Sequence, residues 1–298
     1  MKIFDYINSK PGGLWFFPAR MGLFNWMSDK KYMQFIYKKS FKRELNLDDP
    51  KTYTEKLAWM KLNWYSDLAV KCSDKYRVRE YVTEKIGEEY LVPLIGHWSE
   101  IEDINFDMLP NQFVLKPTNG SSDLVICKDK KDLDISKAKV KLSQNKAAAY
   151  FKFSKEWVYY NLTKTYIAEQ YIKSDDGHAI KDYKFFCFDG EPRFLFVGSE
   201  RDIDVKFDFF DMNWNHLDVL NGHDSKGHID KPKHFDEMVE ISKKLSKDFP
   251  HVRVDLYEEQ DKVYFGELTF FHFGGLVPFE PDIWDLKFGK YFRLPEMS

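Results

Sequence analysis

The chain has 298 residues, enough for one large domain or two modest ones. Apolar residues make up 43% of it and aromatic residues 17%, so a substantial core is available and disorder is not expected. The formal charge is -3, with 45 basic and 48 acidic residues interspersed. This balance argues against a general nucleic-acid binder, which carries a basic excess or a basic patch.

The three cysteines, Cys72, Cys127 and Cys187, are an odd number without close spacing, so neither a disulfide framework nor a zinc ribbon is predicted. No stretch approaches the roughly 18 apolar residues of a membrane span, and no signal-peptide pattern is present. A cytoplasmic location is therefore expected. Residues 11–43 combine aromatic and basic side chains, which suits peripheral contact with the inner face of a membrane. The alternative is an arm packed on the domain or on another subunit.

Residues 1–95 are predicted to be a helical N-terminal region, with a role in substrate or membrane contact. Ser28 is a candidate cap for one helix, and Thr52 followed by Glu55 is a capping-box pattern for the next. Ser73 or Asp74 is a candidate start for a further helix that a glycine at position 87 would end. No pattern in this region identifies a specific pocket.

From position 112 onwards the chain consists of short apolar runs separated by turns, which is typical of strands. The strand candidates are "FVLK", "LVIC", "YIAEQYI", "YKFFCFDG", "PRFLFVG" and "KFDFFD". Helices are predicted over 136–149, 234–249 and 284–292. Strands in runs, rather than in strict alternation with helices, favour an α+β fold over a doubly wound sheet. The clearest candidate boundary is the loop Ser174–Ala179.

A C-terminal hairpin carries two acids inside apolar runs: Asp255 in the first strand and Glu267 in the second. A three-residue loop over 259–261 would set Arg253 opposite Glu267, with Asp255 one diagonal step away on the same face. A shift of one residue would turn Glu267 to the other face, so the prediction depends on the register.

Two neighbouring carboxylates repel and need a compensating charge. Arg253 supplies part of it, and a hard cation such as Mg²⁺ would supply more. The alternative is the polar outer face of an ordinary hairpin, with an exposed ion pair of little energetic value.

Upstream residues favour a nucleotide site. Lys116 ends a strand and is followed by a small-residue turn, Asn119–Ser122, whose backbone N–H groups can face a phosphate. This turn is neither a P-loop nor a G-x-G-x-x-G motif. Glu169 lies in another apolar strand, and Lys184 lies in the one after that.

In chain order these residues resemble the ATP-grasp superfamily. Seven segments are similar to the TupA-like ATP-grasp family of bacterial surface-polysaccharide biosynthesis, and the resemblance runs from about Asp49 to Pro295. They are "DPKTYTEKLAWMKL", "DKYRVREYV", "FVLKP", "IAEQYI", "DYKFFCFDGEPRF", "VRVDLY" and "YFGELTF". Each segment alone is unspecific, but seven in order are not expected by accident.

The resemblance implies an ATP-grasp fold with an N-terminal subdomain over 96–173 and a C-terminal subdomain over 174–298. It also implies ATP and Mg²⁺ as cofactors, and it assigns roles to individual residues. Lys116, Lys184 and the turn residues Gly120, Ser121 and Ser122 would bind phosphates, and Glu169 would face the adenine amino group. The adenine ring and ribose would contact the backbone of Gln170 and Ile172 and the side chain of Asp175 or Asp176. Asp255, Glu267 and Thr269 would bind Mg²⁺, while Arg253 would lie beside the transferred phosphoryl group.

Two positions depart from the pattern. Thr269 stands where ATP-grasp enzymes often have an asparagine, and Asp123 stands where the phosphate turn would have a further glycine. Thr269 is compatible with the TupA-like branch.

The implied activity is an ATP-dependent carboxylate–amine ligase, which phosphorylates a carboxylate and lets an amine attack the acyl phosphate. A uronic acid and an amino acid are the expected substrate classes, within a sugar nucleotide or polysaccharide. The alternatives are a kinase on the same scaffold, a glycosyltransferase using Asp202 and Asp204, and a non-catalytic binding module. The segment 271–281 is the candidate acceptor site, because Gly274–Gly275 permits close backbone approach and His272 is a candidate base. The Gly-rich loop 221–228 is either a lid or an ordinary surface loop.

Overall fold

The computed structural model describes residues 18–19, 21–24, 26–120, 123–144, 151–174, 177 and 179–296. Its helices are α1 (Asp29–Phe41), α2 (Tyr53–Asn63), α3 (Asp67–Ser73), α4 (Val78–Ile86), α5 (Ile135–Ser143), α6 (Phe235–Ser246) and α7 (Ile283–Gly289). Its strands are β1 (Leu94–Trp98), β2 (Phe113–Pro117), β3 (Val125–Cys127), β4 (Tyr166–Gln170), β5 (Asp182–Phe188), β6 (Glu191–Ser199), β7 (Lys206–Asp211), β8 (His216–Leu217), β9 (His251–Glu259) and β10 (Lys262–Thr269).

The four helices α1 to α4 lie within the first 95 residues. The predicted capping box is confirmed: the Thr52 side chain accepts from the Glu55 backbone N–H, and the Glu55 carboxylate accepts from the Thr52 backbone N–H. The Asp74 carboxylate accepts from the backbone N–H groups of Tyr76 and Arg77, just before α4 begins at Val78. Gly87, at a φ of 106°, ends α4, a conformation that glycine adopts without steric cost.

The strands form two antiparallel sheets. The small sheet has the order β1-β4-β2-β3, and the large sheet has the order β10-β9-β5-β6-β7-β8. The chain passes from the small to the large sheet between β4 and β5. The predicted boundary Ser174–Ala179 falls in this interval, and residues 175, 176 and 178 lie outside the described part of the chain. Antiparallel sheets with helices packed beside them confirm the predicted α+β class.

The two faces of the large sheet pack against different helices because side chains alternate along β5. Phe185 points to α6, where its ring lies 6.0 Å from that of Phe235. Phe186 points to the opposite face and packs against Tyr53 of α2, at 5.9 Å. Lys184 shares the face of Phe186. The charged residues of the hairpin therefore lie beyond an aromatic layer on the side covered by α2.

The register of the β9–β10 hairpin differs from the predicted one. Glu259 pairs with Lys262 across a two-residue turn, in which Gln260 and Asp261 both have positive φ, the geometry of a type I′ turn. This register alone would turn Glu267 away from Asp255. A β-bulge between Phe265 and Glu267 adds one residue and restores the face.

Glu267 consequently lies directly opposite Asp255, and Thr269 lies opposite Arg253. The predicted three-residue loop and the predicted Arg253–Glu267 pairing are both wrong, because the turn is shorter by one residue and the bulge compensates. The expectation that Arg253, Asp255 and Glu267 share one face is confirmed.

Gly266, the extra residue of the bulge, gives the first testable prediction. A Cβ at this position would lie 3.0 Å from the Asp255 carbonyl oxygen and 3.0 Å from the Tyr257 ring. We expect Gly266→Ala to lower the free energy of unfolding by about 1–3 kcal/mol, because the Asp255 backbone and the half-buried Tyr257 ring would have to shift to admit the methyl group. Urea denaturation measures the loss.

Gly198→Ala is the matched control. Gly198 lies in β6 of the same sheet, and a Cβ there would meet its nearest neighbours at 3.7 Å, an ordinary contact. This variant is expected to unfold close to the wild-type urea midpoint. Equal losses in the two variants would contradict the role given to the bulge.

Candidate active site

The candidate site lies at the charged end of the large sheet. Three adjacent strands supply it: β5 with Asp182 and Lys184, β9 with Arg253 and Asp255, and β10 with Glu267. Asp255 is fully buried, and Asp182 and Arg253 are nearly so. Glu267 keeps 36% of its side chain exposed. A ligand arriving from solvent therefore meets Glu267 first.

Arg253 explains how two carboxylates can lie side by side. Its Nε and Nη2 atoms donate to the two oxygens of Asp255, each at 2.7 Å, in a bidentate ion pair. Nη2 also contacts Thr269 Oγ1 at 3.0 Å and Glu267 Oε1 at 3.4 Å. The guanidinium lies over the Phe196 ring, 5.8 Å from its centroid.

Lys184 lies between two carboxylates. Its Nζ contacts Asp182 Oδ2 at 2.5 Å and also donates to Asp255 Oδ2. Asp182 Oδ2 is shared with Arg201 at 3.3 Å. The other oxygen, Asp182 Oδ1, is buried without a hydrogen-bond partner in the described part of the chain. The contact of Asp182 with Lys184 was not predicted from the sequence. It follows from two-residue alternation along β5, which places Asp182 on the face of Lys184.

The two metal candidates have different electrostatic surroundings. Burial raises the pKa of Asp255, and the Arg253 guanidinium and the Lys184 ammonium oppose that rise. Burial also acts to raise the pKa of Glu267, but Lys75, Lys184 and Arg253 outweigh it and lower the pKa to about 2. Glu267 is therefore ionised at neutral pH and available to a cation.

The small sheet contributes a second charged group. Lys116 on β2 and Glu169 on β4 share a face, and Lys116 Nζ lies 2.6 Å from Glu169 Oε2. Arg79 of α4 reaches the other oxygen, Oε1, at 3.3 Å and also donates to the Val92 carbonyl. Arg79 was not singled out from the sequence, because only the fold brings α4 against β4.

Lys75 links the two sheets. Its backbone N–H donates to Thr118 O at 3.0 Å, and its Nζ donates to Gly120 O in the predicted phosphate turn. The same Nζ lies 3.8 Å from Glu267 Oε2 on the large sheet. Lys75 was not predicted to be a site residue, because it lies 45 residues upstream of Gly120. No local pattern distinguishes it from the other lysines of the helical region.

Some of the residues predicted to contact the nucleotide lie within the described part of the chain, and others lie outside it. The backbone N–H of Gln170 donates to Pro93 O at 2.9 Å, and Ile172 is half-buried. Asp123, the departure in the phosphate turn, is buried. Four predicted contacts lie outside the described residues: Ser121, Ser122, Asp175 and Asp176.

His272, the candidate base, is buried beside Arg253 rather than exposed. Its Nδ1 lies 2.7 Å from Arg253 Nη1, and its Nε2 lies 2.8 Å from Asn221 Oδ1. Burial, together with the charges of Arg253 and Lys184, lowers the pKa of His272 well below its usual value, so the ring is neutral. Asn221 was not singled out from the sequence. It belongs to the loop 221–228, which Asp208 ties down by accepting from two backbone N–H groups, those of Lys226 and Gly227.

The carboxylate set fits a metal bound together with a nucleotide. Across the described residues, no group of three or more His, Cys, Asp and Glu side chains is placed to hold a metal ion. Asp255 and Glu267 are two facing carboxylates with the Thr269 hydroxyl beside them. Magnesium is usually bound by one or two carboxylates, with phosphate oxygens and water completing the octahedron. Two carboxylates are enough for a magnesium ion that also binds nucleotide phosphates, but they are too few for a metal site made of protein ligands alone.

Comparisons with known proteins identify the family of the chain. The family model for TupA-like ATP-grasp proteins matches residues 55–293. A search of curated proteins finds no match. A D-alanine–D-alanine ligase from Bacillus anthracis, solved with ATP, aligns at 19% identity with a TM-score of 0.39, over 67% of this chain and 54% of that one.

Two further solved structures are similar at the same level. The D-alanine–D-alanine ligase from Helicobacter pylori aligns at 15% identity and a TM-score of 0.40, covering 81% of this chain and 69% of that one. The N5-carboxyaminoimidazole synthase from Aspergillus clavatus aligns at 12% identity and a TM-score of 0.39, covering 68% and 46%. The assignment rests on the family model, whose match over residues 55–293 covers most of the chain: the protein belongs to the TupA-like ATP-grasp family.

Proposed function

We propose that the protein is an ATP- and Mg²⁺-dependent carboxylate–amine ligase that forms an amide bond through an acyl phosphate. The observation that carries the proposal is the direct pairing of Asp255 with Glu267, on one face with Lys184 and Arg253. Membership of the family supports ATP-dependent ligation of a carboxylate and an amine. We further propose that it acts in bacterial surface-polysaccharide biosynthesis, joining an amino acid to a uronic acid.

The cations at the junction of the two sheets are the proposed phosphate contacts. Lys116 comes from the small sheet, Lys184 from the large sheet, and Lys75 spans the two. In the absence of nucleotide each ammonium faces a carboxylate, so the charges are compensated. Phosphate oxygens would replace carboxylate oxygens as their partners, which is an exchange between anions and leaves no cation unpaired.

Asp255 and Glu267, with Thr269 beside them, are the proposed magnesium ligands. A bound magnesium ion would neutralise charge on the transferring phosphoryl group. Both oxygens of Asp255 are engaged by Arg253, and one is shared with Lys184. Asp182 gives Lys184 a second partner when Asp255 turns to a metal. Arg253 lies where it can stabilise the charge that develops on the phosphoryl group or the acyl oxygen.

The adenine end is proposed to lie beside β4. Arg79 holds Oε1 of Glu169 there, so the carboxylate would stay oriented toward an adenine amino group after Lys116 turned to a phosphate. Gln170 and Ile172 would lie against the ring, and Asp176 would contact the ribose. Gln260 at the hairpin tip donates to the Lys173 carbonyl, which brings the metal hairpin against the segment after β4.

The segment 271–281 is the proposed acceptor site. Phe273, Gly274 and Gly275 have φ values of 50°, 60° and 62°, three left-handed residues in succession. Such a backbone is strained at Phe273, and strain of this kind concentrates at functional sites. Lys61 stabilises the turn, because its buried ammonium donates to the carbonyls of Gly274 and Ser154.

A cytoplasmic location with peripheral membrane contact is also part of the proposal. None of the described helices is long and apolar enough to cross a membrane. On α1, Tyr32, Met33 and Ile36 are buried in the protein. Just before it, Leu23 and Trp26 are 64% and 81% exposed, which suits insertion at an interface. Three other aromatic residues of the segment 11–43 lie outside the described residues: Trp15, Phe16 and Phe17.

The nucleotide site is tested by binding of a non-hydrolysable ATP analogue, followed by calorimetry with and without Mg²⁺. Wild-type protein is expected to bind with micromolar affinity only when Mg²⁺ is present. Glu267→Gln removes one of two anionic metal ligands and is expected to abolish most of the Mg²⁺-dependent gain, at least about tenfold. Glu240→Gln on the exposed face of α6 is the control and is expected to behave as wild type. Absence of binding by folded wild-type protein would refute the nucleotide site.

Reaction products separate a ligase from a kinase. With ATP, Mg²⁺, a panel of uronic acids and hydroxylamine in place of the amine, a ligase is expected to release ADP and phosphate and to form a hydroxamate. The reason is that hydroxylamine attacks an acyl phosphate as an amine does. Coupled assays for ADP and phosphate, with mass spectrometry of the hydroxamate, measure the three products. ADP without phosphate, together with a stable phosphorylated sugar, would establish the kinase instead.

A further inference from the structure

We propose that His272 and Asn221 are positioning residues that hold the Arg253 guanidinium in place during phosphoryl transfer, independently of the metal-binding carboxylates. The proposal rests on the proposed function for the role of Arg253. It rests on hydrogen-bond geometry for the roles of His272 and Asn221.

The protons of this hydrogen-bond chain are fixed at the Arg253 end. A guanidinium has only donors, so the 2.7 Å contact from Arg253 Nη1 makes His272 Nδ1 an acceptor. A neutral imidazole that accepts at Nδ1 carries its proton on Nε2. His272 Nε2 therefore donates to Asn221 Oδ1, at 2.8 Å.

The protons are fixed at the other end as well. Asn221 Nδ2 lies 3.1 Å from Val277 O and 3.0 Å from Pro278 O, and carbonyl oxygens can only accept. The amide nitrogen must therefore face these two carbonyls, which leaves Oδ1 for His272. The two ends agree, and the chain permits one tautomer and one amide orientation.

The residues around this hydrogen-bond chain exclude water from it and keep the His272 ring uncharged. Asn221, His272 and Arg253 are 1%, 2% and 6% exposed. The rings of Phe186 and Phe196 lie 5.0 and 5.6 Å from the His272 ring. A neutral acceptor in an apolar site strengthens its hydrogen bond to a cation, because little water competes for the guanidinium.

The need for this anchor follows from Asp255. Asp255 holds Nε and Nη2 of Arg253, but the same carboxylate is the proposed magnesium ligand. An oxygen that turns to a metal weakens its hold on Arg253. In the described part of the chain, His272 is the hydrogen-bond partner of Nη1, and it carries no negative charge that a metal would attract.

The hydrogen-bond chain also connects Arg253, which is proposed to lie beside the transferred phosphoryl group, to the proposed acceptor segment. Val277 and Pro278 belong to the proposed acceptor segment, and a two-way backbone bridge between Leu220 and Glu280 fixes Asn221 against it. A shift of the acceptor segment would move Asn221 and then His272. Arg253 is thereby oriented from the side on which the acceptor carboxylate is proposed to bind.

The test compares binding of Mg·ADP alone with binding of Mg·ADP plus aluminium fluoride, which mimics the transferring phosphoryl group. Wild-type protein is expected to bind Mg·ADP and to bind more tightly when aluminium fluoride is added. His272→Leu removes the acceptor for Nη1. It is expected to keep its affinity for Mg·ADP and to weaken the aluminium fluoride complex by about 10- to 100-fold, as misplacement of a catalytic group does.

His272→Asn is the rescue variant, because its Oδ1 lies close to the position of the histidine Nδ1 and can accept from Arg253. It is expected to recover most of the tightening. Equal losses in the leucine and asparagine variants, or tightening in His272→Leu equal to that of wild type, would overturn the proposal. Thermal melting of each variant checks that it is folded.

A second measurement reports the tautomer directly. Nitrogen-15 NMR of histidine-labelled wild-type protein, with His272 assigned as the signal absent from His272→Leu, is expected to show that the His272 proton stays on Nε2 and that the ring remains neutral at pH 6. An Nδ1-protonated or a cationic His272 would overturn the hydrogen-bond chain. A wild-type protein that does not bind Mg·ADP would instead refute the proposed nucleotide function, and the two failures are thereby distinguished.

Discussion

The candidate site depends on one extra residue in β10. Without the bulge at Gly266, the two-residue turn of the hairpin would set Glu267 on the face of Val254, among apolar side chains. With the bulge, Glu267 lies opposite Asp255 and Thr269 lies opposite Arg253. The short turn and the bulge each move Glu267 to the other face of the sheet, so together they restore its predicted face. The residue opposite Glu267 nevertheless changes from the predicted Arg253 to Asp255. Bulges beside active sites commonly re-aim a side chain in this way.

That pairing is tolerable because the carboxylates are compensated before any ligand arrives. A buried ion pair costs desolvation, which good geometry and further hydrogen bonds can offset. Arg253 meets both oxygens of Asp255, and Lys184 lies between Asp255 and Asp182. Each cation thus has more than one anionic partner.

Residue patterns predicted the parts of the site that depend on neighbours in sequence. Alternation along a strand placed Arg253 and Asp255 on one face, and the Thr52–Glu55 spacing predicted a helix start that the structure confirms. The bulge was not predicted, although an isolated glycine inside a strand pattern, such as Gly266, can indicate one. Lys75 and Asn221 were missed for a different reason. Their partners lie far away in sequence, and only the packing of the two sheets and the 220–280 bridge brings them to the site.

Along its strands, one face of the large sheet changes from aromatic to charged side chains. Two neutral histidines, His251 and His272, lie where the two kinds of side chain meet. His251 donates from Nδ1 to the Cys187 carbonyl at 2.8 Å and accepts from the Tyr53 hydroxyl, and burial lowers its pKa to about 3. His272 occupies the next layer, between aromatic rings and Arg253. A cationic histidine there would repel Arg253, and a carboxylate there would compete with phosphate and metal. A neutral imidazole avoids both conflicts, because its Nδ1 accepts a hydrogen bond from the guanidinium without adding charge. The aromatic layer is thus part of the site's electrostatics, since it keeps the partner of Arg253 uncharged.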